Sequence, residues 1–273
     1  MNKYAFITMD VESFFDTFCM NKKGIEKDEK YDCSQEVDKF ITYLASRNIK
    51  ATLFVNVSFL PRVKNALIKA RELGFDISLH SLEHKPATDF SLEEFKENIN
   101  KAKSILKEEV GVEPLGFRFP SFKFNDKYME IIKDEFLYDA SYLKTPKGYT
   151  KVQDSIYVQD GLYEFPLTRN YFLVKPMVFS GGANLRLLPY KVTMRRMRRN
   201  AHRRDSYVLY FHPFELYEGD FPKYKKLNFI QRLYINRNRK VYFQRVKDVI
   251  DLLEKEGYNF LTMSEYIKLN NHE

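Results

Sequence analysis

The chain holds five histidines, and two of them sit four residues apart in His80-Ser81-Leu82-Glu83-His84. If the backbone turns at once after His80, both imidazoles can reach one cation. The zinc-protease motif uses a similar spacing but needs a helix, and Lys85-Pro86 follows too closely to let a long one form. A second element is Asp10-Val11-Glu12, at the end of an apolar run. Residues two apart on a strand point the same way, so these carboxylates can converge. Two imidazoles and one carboxylate make a ligand set that leaves a coordination position open for water, and the other carboxylate is then free to act as a base. Arg118, in Gly116-Phe117-Arg118-Phe119-Pro120-Ser121, follows another short apolar run. So does His212, in Tyr210-Phe211-His212-Pro213-Phe214-Glu215. Together these residues would supply a metal, a base, an orienting cation and an acid.

They act as a unit only if the fold gathers the ends of those runs. Short apolar runs alternate with amphipathic helices, the pattern of a parallel α/β architecture. Strands are expected over Ala5–Met9, Ala51–Val55, Phe75–Leu79, Leu115–Phe117, Leu137–Asp139, Tyr207–Phe211 and Tyr258–Thr262. Gln35–Asn48 reads as a helix, with Val37, Phe40, Ile41 and Leu44 at helical spacing. Further helices are expected over Arg62–Leu73, from a Ser91/Glu94 capping box towards Glu109, over a basic stretch from Leu187 to Arg203, and over Tyr242–Glu256. Residues 145–183, broken by Pro and Gly, read as strands and loops inserted late in the fold. The expectation is α/β: a distorted, seven-stranded (β/α)-barrel forming a single domain over residues 1–273. The C-terminal strand ends of such a barrel form one rim, where active sites gather.

Composition supports a large core, with 24 Phe and 19 Tyr in 273 residues. No run approaches the ~18 consecutive apolar residues of a membrane span, and the N-terminus reads as a buried strand rather than a signal peptide. Cys19 and Cys33 make neither a disulfide framework nor a zinc pair and read as thiols of a reducing compartment. The net charge of +8 is unevenly placed: residues 191–204 and 221–247 contain no Asp or Glu and hold 16 of the 45 Lys and Arg residues. Such stretches suit an anionic partner, whether lipid headgroups, an acidic glycan or nucleic acid. No recognisable nucleic-acid-reading motif accompanies them, so no specific nucleic-acid partner is expected.

The order Asp-x-Glu, His-Ser-x-x-His, Arg-x-Pro-Ser and His-Pro resembles the polysaccharide deacetylases of carbohydrate esterase family four, the nodulation-type chitooligosaccharide and peptidoglycan deacetylases. The likeness runs from Thr8 to the last strand. Glu164-Phe165-Pro166, Ser180-Gly181-Gly182 and Arg186-Leu187-Leu188-Pro189-Tyr190 are similar to the branch found with bacterial surface-polysaccharide gene sets. The resemblance implies metal-dependent removal of N-acetyl groups from amino sugars of a bacterial glycan, with Zn²⁺ or another divalent ion as cofactor. It implies Asp10 as catalytic base, Glu12, His80 and His84 as metal ligands, Arg118 as the residue positioning the base, and His212 as general acid. Phe119, Pro120 and Ser121 would meet the substrate, with a backbone N–H there facing the oxyanion. Aromatic Phe119, Phe122, Tyr171 and Phe172 are candidates for stacking on sugar rings, although among 24 Phe and 19 Tyr core packing is the better expectation for any one of them. Two departures stand out. Glu12 replaces the family's commoner Asp, and the tryptophan-containing fourth motif is missing, since the chain has no Trp. Asp139 and Glu164 are the candidates for the carboxylate that holds His212 protonated.

The expected location is the cytoplasm, at the inner membrane surface where the basic stretches would meet anionic lipid and a lipid-linked glycan. Two rival readings stay within the scaffold. One is hydrolysis of another C–N bond, as in cyclic amides. The other is a non-catalytic glycan-binding protein, which should have lost at least one of Asp10, His80, His84 or His212; all are present.

Overall fold

A run such as Ala5-Phe6-Ile7-Thr8-Met9-Asp10 suits a strand buried on both faces of a parallel sheet, and that is where it lies. The computed structural model describes residues 2–17, 20, 23–142, 155–172, 175–178 and 180–270. Strand β1 (Lys3–Val11) is buried from Ala5 onwards. One of its edges pairs in parallel with β10 (Ser206–Phe211). Its other edge is shared by β11 (Tyr258–Phe260) at the start and β2 (Thr52–Asn56) at the end. From β2 the sheet continues in parallel through β3 (Asp76–Ser81), β4 (Gly116–Phe117), β5 (Tyr138–Asp139) and β7 (Leu162–Glu164). An antiparallel strand, β6 (Tyr157–Gln159), ends it. Past β7 the chain turns back towards β10. The Val208 N–H donates to Thr168 Oγ1 at 2.8 Å and the Tyr210 N–H to the Ser180 carbonyl at 3.0 Å, which draws the curled sheet towards closure.

The result is the expected α/β barrel, with eight parallel strands rather than seven. The additional strand is β7, from within the segment that sequence patterning left as strands and loops. A separate hairpin, β8 (Arg169–Phe172) with β9 (Lys175–Val178), accounts for more of that segment. The basic stretch forms the expected helix, α6 (Tyr190–Ala201), which starts three residues later than Leu187, and a short helix, α5 (Gly182–Leu187), precedes it. Leu188 is extended because Pro189 follows it, and a residue before proline is pushed out of the helical region.

Strand alternation sorts the core. Ile7, Met9, Leu53, Val55, Leu79, Phe117 and Leu209 face outwards against α1 (Gln35–Ser46), α2 (Leu60–Glu72), α3 (Leu92–Val110), α4 (Asp126–Glu135) and α9 (Tyr242–Lys255). Phe6, Phe54, Tyr138, Phe165 and Val208 face inwards and fill the N-terminal half of the barrel together with Met263 and Ile267 of α10 (Met263–Asn270). Each such side chain contributes roughly 1.5–3 kcal/mol by leaving water. With the lower half filled by hydrocarbon, the polar residues next along the same inward rows collect above it: Thr8 and Asp10 on β1, His80 on β3.

One glycine is required for closure. Gly181 sits at φ +137°, and a Cβ there would lie 1.9 Å from the Tyr210 carbonyl oxygen. Gly181→Ala should therefore destabilise the fold by roughly 3 kcal/mol or more, from backbone strain plus overpacking, visible as a lowered urea midpoint.

Candidate active site

The chain turns immediately after β3, and His84 returns onto Glu12. Glu12 Oε2 lies 2.6 Å from His84 Nε2 and 3.5 Å from His80 Nε2. One donor atom from each of Glu12, His80 and His84 falls within 4.8 Å of the others, a grouping that could hold a metal ion. His80 is oriented from behind, since its Nδ1 lies 2.7 Å from the Arg118 carbonyl oxygen. That bond assigns the N–H to Nδ1 and leaves Nε2 as the free donor atom. Burial opposes charge on Glu12, but His84, His80 and His212 outweigh it and hold the carboxyl well below its usual range. Two imidazoles and an ionised carboxylate, almost wholly out of water, fit a divalent transition-metal ion.

Asp10 stands beside this group with its two oxygens in different roles. Oδ1 accepts a 2.6 Å hydrogen bond from Arg118 Nη1. Oδ2 faces the site, 3.8 Å from His212 Nε2. Arg118 is fully buried and fixed at several points: Nη1 also donates to Thr8 Oγ1 at 2.9 Å, Nε donates to the Ala140 carbonyl at 2.9 Å, and the guanidinium lies 4.1 Å from the centre of the Phe54 ring. An arginine so held cannot swing away, and it fixes the carboxylate in turn.

His212 comes from the end of β10, with Nε2 also 4.0 Å from Glu12 Oε1. On its other side, Nδ1 is 3.1 Å from Glu215 Oε2. The Glu215 carboxylate also accepts from the His212 backbone N–H, capping the short helix α7 (Pro213–Leu216). Arg186 Nε approaches the carboxylate from behind, 3.4 Å from Oε1. Burial pulls the imidazole towards its neutral form, but Glu215, Glu12 and Asp10 outweigh it and push the pKa up to about 9.

The partner of His212 is thus Glu215, and neither Asp139 nor Glu164 is set against it. Those two residues are opposite each other in the β5–β7 register and hydrogen-bond to one another. Burial and the charge on Asp139 push Glu164 well above its usual range, so it carries the shared proton. Asp139 instead accepts from the Ser141 N–H at 2.7 Å and from its hydroxyl at 2.6 Å, and Ser141 Oγ accepts the Phe119 N–H at 2.8 Å. The pair props the Arg118 loop from below. Glu215 was open to detection in the sequence, because His-Pro-Phe-Glu has the i, i+3 spacing of a capping box.

The loop after Arg118 also departs from expectation. Phe119 is fully buried and stacks between Phe95 and Phe124, at 5.8 and 4.4 Å, so it belongs to the core. Pro120 is buried too and borders a neighbouring apolar recess. Ser121 and Phe122 do line the site, both held at left-handed φ, 55° and 53°. Two consecutive non-glycine residues in that region store strain at the site wall. The side chains of Tyr171 and Phe172 lie outside the described residues, as does Cys19; Cys33 is a buried free thiol.

Asp10, Glu12, His80, His84 and His212 share a cavity of about 270 Å³ with Thr17, Ser121, Phe122, Lys123, Tyr210, Phe214 and Tyr234. Two carboxylates and three imidazoles therefore surround one small space.

Residues 24–135 match the family model described as polysaccharide deacetylase, and residues 143–268 match one described as a domain of unknown function. His80, His84 and Arg118 lie in the first segment; Arg186, His212 and Glu215 lie in the second. No curated protein matches the chain in sequence. Among solved structures, a Mycobacterium smegmatis protein provisionally assigned as a polysaccharide deacetylase superposes with TM-score 0.68 at 15% identity, covering 98% of this chain and 90% of that one. The family 4 carbohydrate esterase domain of a multidomain xylanase, from the hindgut metagenome of Trinervitermes trinervoides, gives TM-score 0.55 at 15% identity, covering 99% and 92%. A pseudoenzyme of the same family from Bacillus anthracis gives 0.57 at 12% identity, covering 97% of this chain and 65% of that one. At such identities the likeness is one of fold.

Proposed function

With residues 24–135 belonging to the polysaccharide deacetylase family, we propose that this chain hydrolyses N-acetyl groups from amino sugars of a bacterial glycan, releasing acetate in a metal-dependent reaction. The observation that carries the reading is the opposition of Asp10 Oδ2 and His212 Nε2 across 3.8 Å, beside the Glu12, His80 and His84 group. A fold alone does not carry an activity, as the pseudoenzyme neighbour illustrates, so the argument rests on these side chains.

Glu12, His80 and His84 would hold Zn²⁺ or another divalent ion, which supplies Lewis acidity and lowers the pKa of water. The chain's own residues do the rest. Asp10, with Oδ1 engaged by Arg118, presents Oδ2 to take a proton from the attacking water. The Ser121 N–H, on the strained wall of the cavity, is the backbone donor available to an oxyanion, because the Arg118 and Phe119 N–H groups already donate to the Leu79 carbonyl and Ser141 Oγ. His212 gives a proton to the departing amine nitrogen, which as an anion would be a prohibitively poor leaving group. The half-cavity formed by Phe122, Tyr210 and Tyr234 offers ring faces to the sugar.

Acetate release from a panel of N-acetylated oligosaccharides, with and without a chelator, tests the proposal. Turnover that survives complete metal removal would overturn it, and hydrolysis confined to cyclic amides would favour the rival C–N chemistry. His84→Ala should strip the metal, since it leaves only Glu12 and His80 of the three grouped donors. Elemental analysis of the purified variant should show the metal content falling by at least about tenfold, in line with losing a direct ligand.

A further inference from the structure

No described helix is long and apolar enough to cross a membrane, yet one short helix turns its greasiest face to water. In α8 (Phe229–Asn236), Phe229 is 78% exposed, Ile230 74% and Leu233 43%. At ~100° per residue these three fall within about a quarter to a third of the circumference, opposite Ile235, the helix's buried anchor. The helix is fastened at both ends. Asn228 and Gln231 form a capping box at its start, and Arg186 Nη1 donates to the carbonyls of Tyr234 and Ile235 at its end. The exposed apolar face is therefore a fixed feature of the surface.

Its surroundings say what it fits. Residues 221–247 contain no Asp or Glu, and Lys223, Lys225, Lys226, Arg232, Arg237 and Lys240, all exposed, lie on the helix or flank it in sequence; Lys240 pairs with Asp220 and Lys226 donates to the Gly24 carbonyl. Three apolar tips within an exposed basic segment match the composition of an anionic bilayer surface, where hydrocarbon lies just beneath negative headgroups. A free acidic glycan would answer the cations but not the phenyl and alkyl groups. On the neighbouring stripe of the same helix, Tyr234 lines the catalytic cavity beside His212.

We propose that α8 docks this chain on an anionic lipid surface through Phe229, Ile230 and Leu233, with the cavity mouth held at that surface. The proposal goes beyond the hydrolytic reading: lipid binding can be measured whether or not that reading stands. Co-sedimentation of the purified full chain with vesicles of phosphatidylcholine, with and without phosphatidylglycerol, is the test. Binding should require phosphatidylglycerol, weaken with salt, and fall by at least about tenfold when Phe229→Ser and Ile230→Ser are combined. The circular-dichroism melting curve and the hydrolysis of soluble substrates should be unchanged in that variant. Equal binding by the parent and the variant, or none by the parent, would overturn the proposal. So would a concentration-dependent dimer in sedimentation velocity that the double variant abolishes, since a second copy would then own the face.

Discussion

Replacing Asp10 with Asn should reduce acetate release by about 10²–10⁴-fold, the range for loss of a general base, while the bound metal stays. The substitution is nearly isosteric. Its carbonyl oxygen can still accept from Arg118 Nη1, which now donates to Asp10 Oδ1 at 2.6 Å, and the side chain keeps its place between Thr8 and the cavity. What vanishes is the basic oxygen 3.8 Å from His212 Nε2. Asp10 is not among the three residues grouped for a metal, so metal content separates the two roles a carboxylate could play here. Retained turnover would remove Asp10 from the base role, and lost metal would make it a ligand. Some stability should be lost as well, because Arg118 would be buried without a counter-charge. A melting curve confirming the folded state at the assay temperature keeps the kinetic result interpretable.

The rim residues were legible in the sequence for a specific reason. Strand alternation is strict, so once Phe6 faces in, Thr8 and Asp10 do too, and His80 follows Ser78 on β3. The same rule decides Phe119: with Arg118 turned inwards its neighbour must turn outwards into the helix-packed core, so a substrate role for that ring was never compatible with the strand.

Other features were out of reach for physical reasons. Leu162-Tyr163-Glu164 is too short to show a period, so β7 could not be told from loop. Without β7 there is no register opposing Glu164 to Asp139, and two carboxyl groups that share one proton look like two candidates for His212. Glu215 was visible but ambiguous. Its spacing from His212 reads as helix capping, and the structure gives it that role along with the imidazole contact. One carboxylate serving both backbone and imidazole leaves only one signature in the sequence, and the structural one is the more familiar.

That double role defines the second large expected effect, Glu215→Gln. Glutamine can still accept from the His212 Nδ1–H and backbone N–H, so the tautomer and the cap survive, but the negative charge does not. His212 must be protonated to act as an acid, and its pKa stands at about 9, with the Glu215 hydrogen bond the largest of the influences that raise it. Activity that needs the imidazolium is present below that pKa and disappears as pH rises through it. The alkaline limb of kcat/KM should therefore lie above the ordinary imidazole range in the parent chain. In the variant it should move towards neutrality by about one unit or more, the usual effect of losing an adjacent opposite charge. The Glu215 share of this effect does not depend on what occupies the Glu12 site, since it acts through the other ring nitrogen. Arg186 loses its carboxylate partner in the same substitution, so a general loss of amplitude is expected from structure alone. Only the displaced limb reports on proton donation. A limb that stays put while amplitude falls would reduce Glu215 to a cap and leave His212 without its assigned source of basicity.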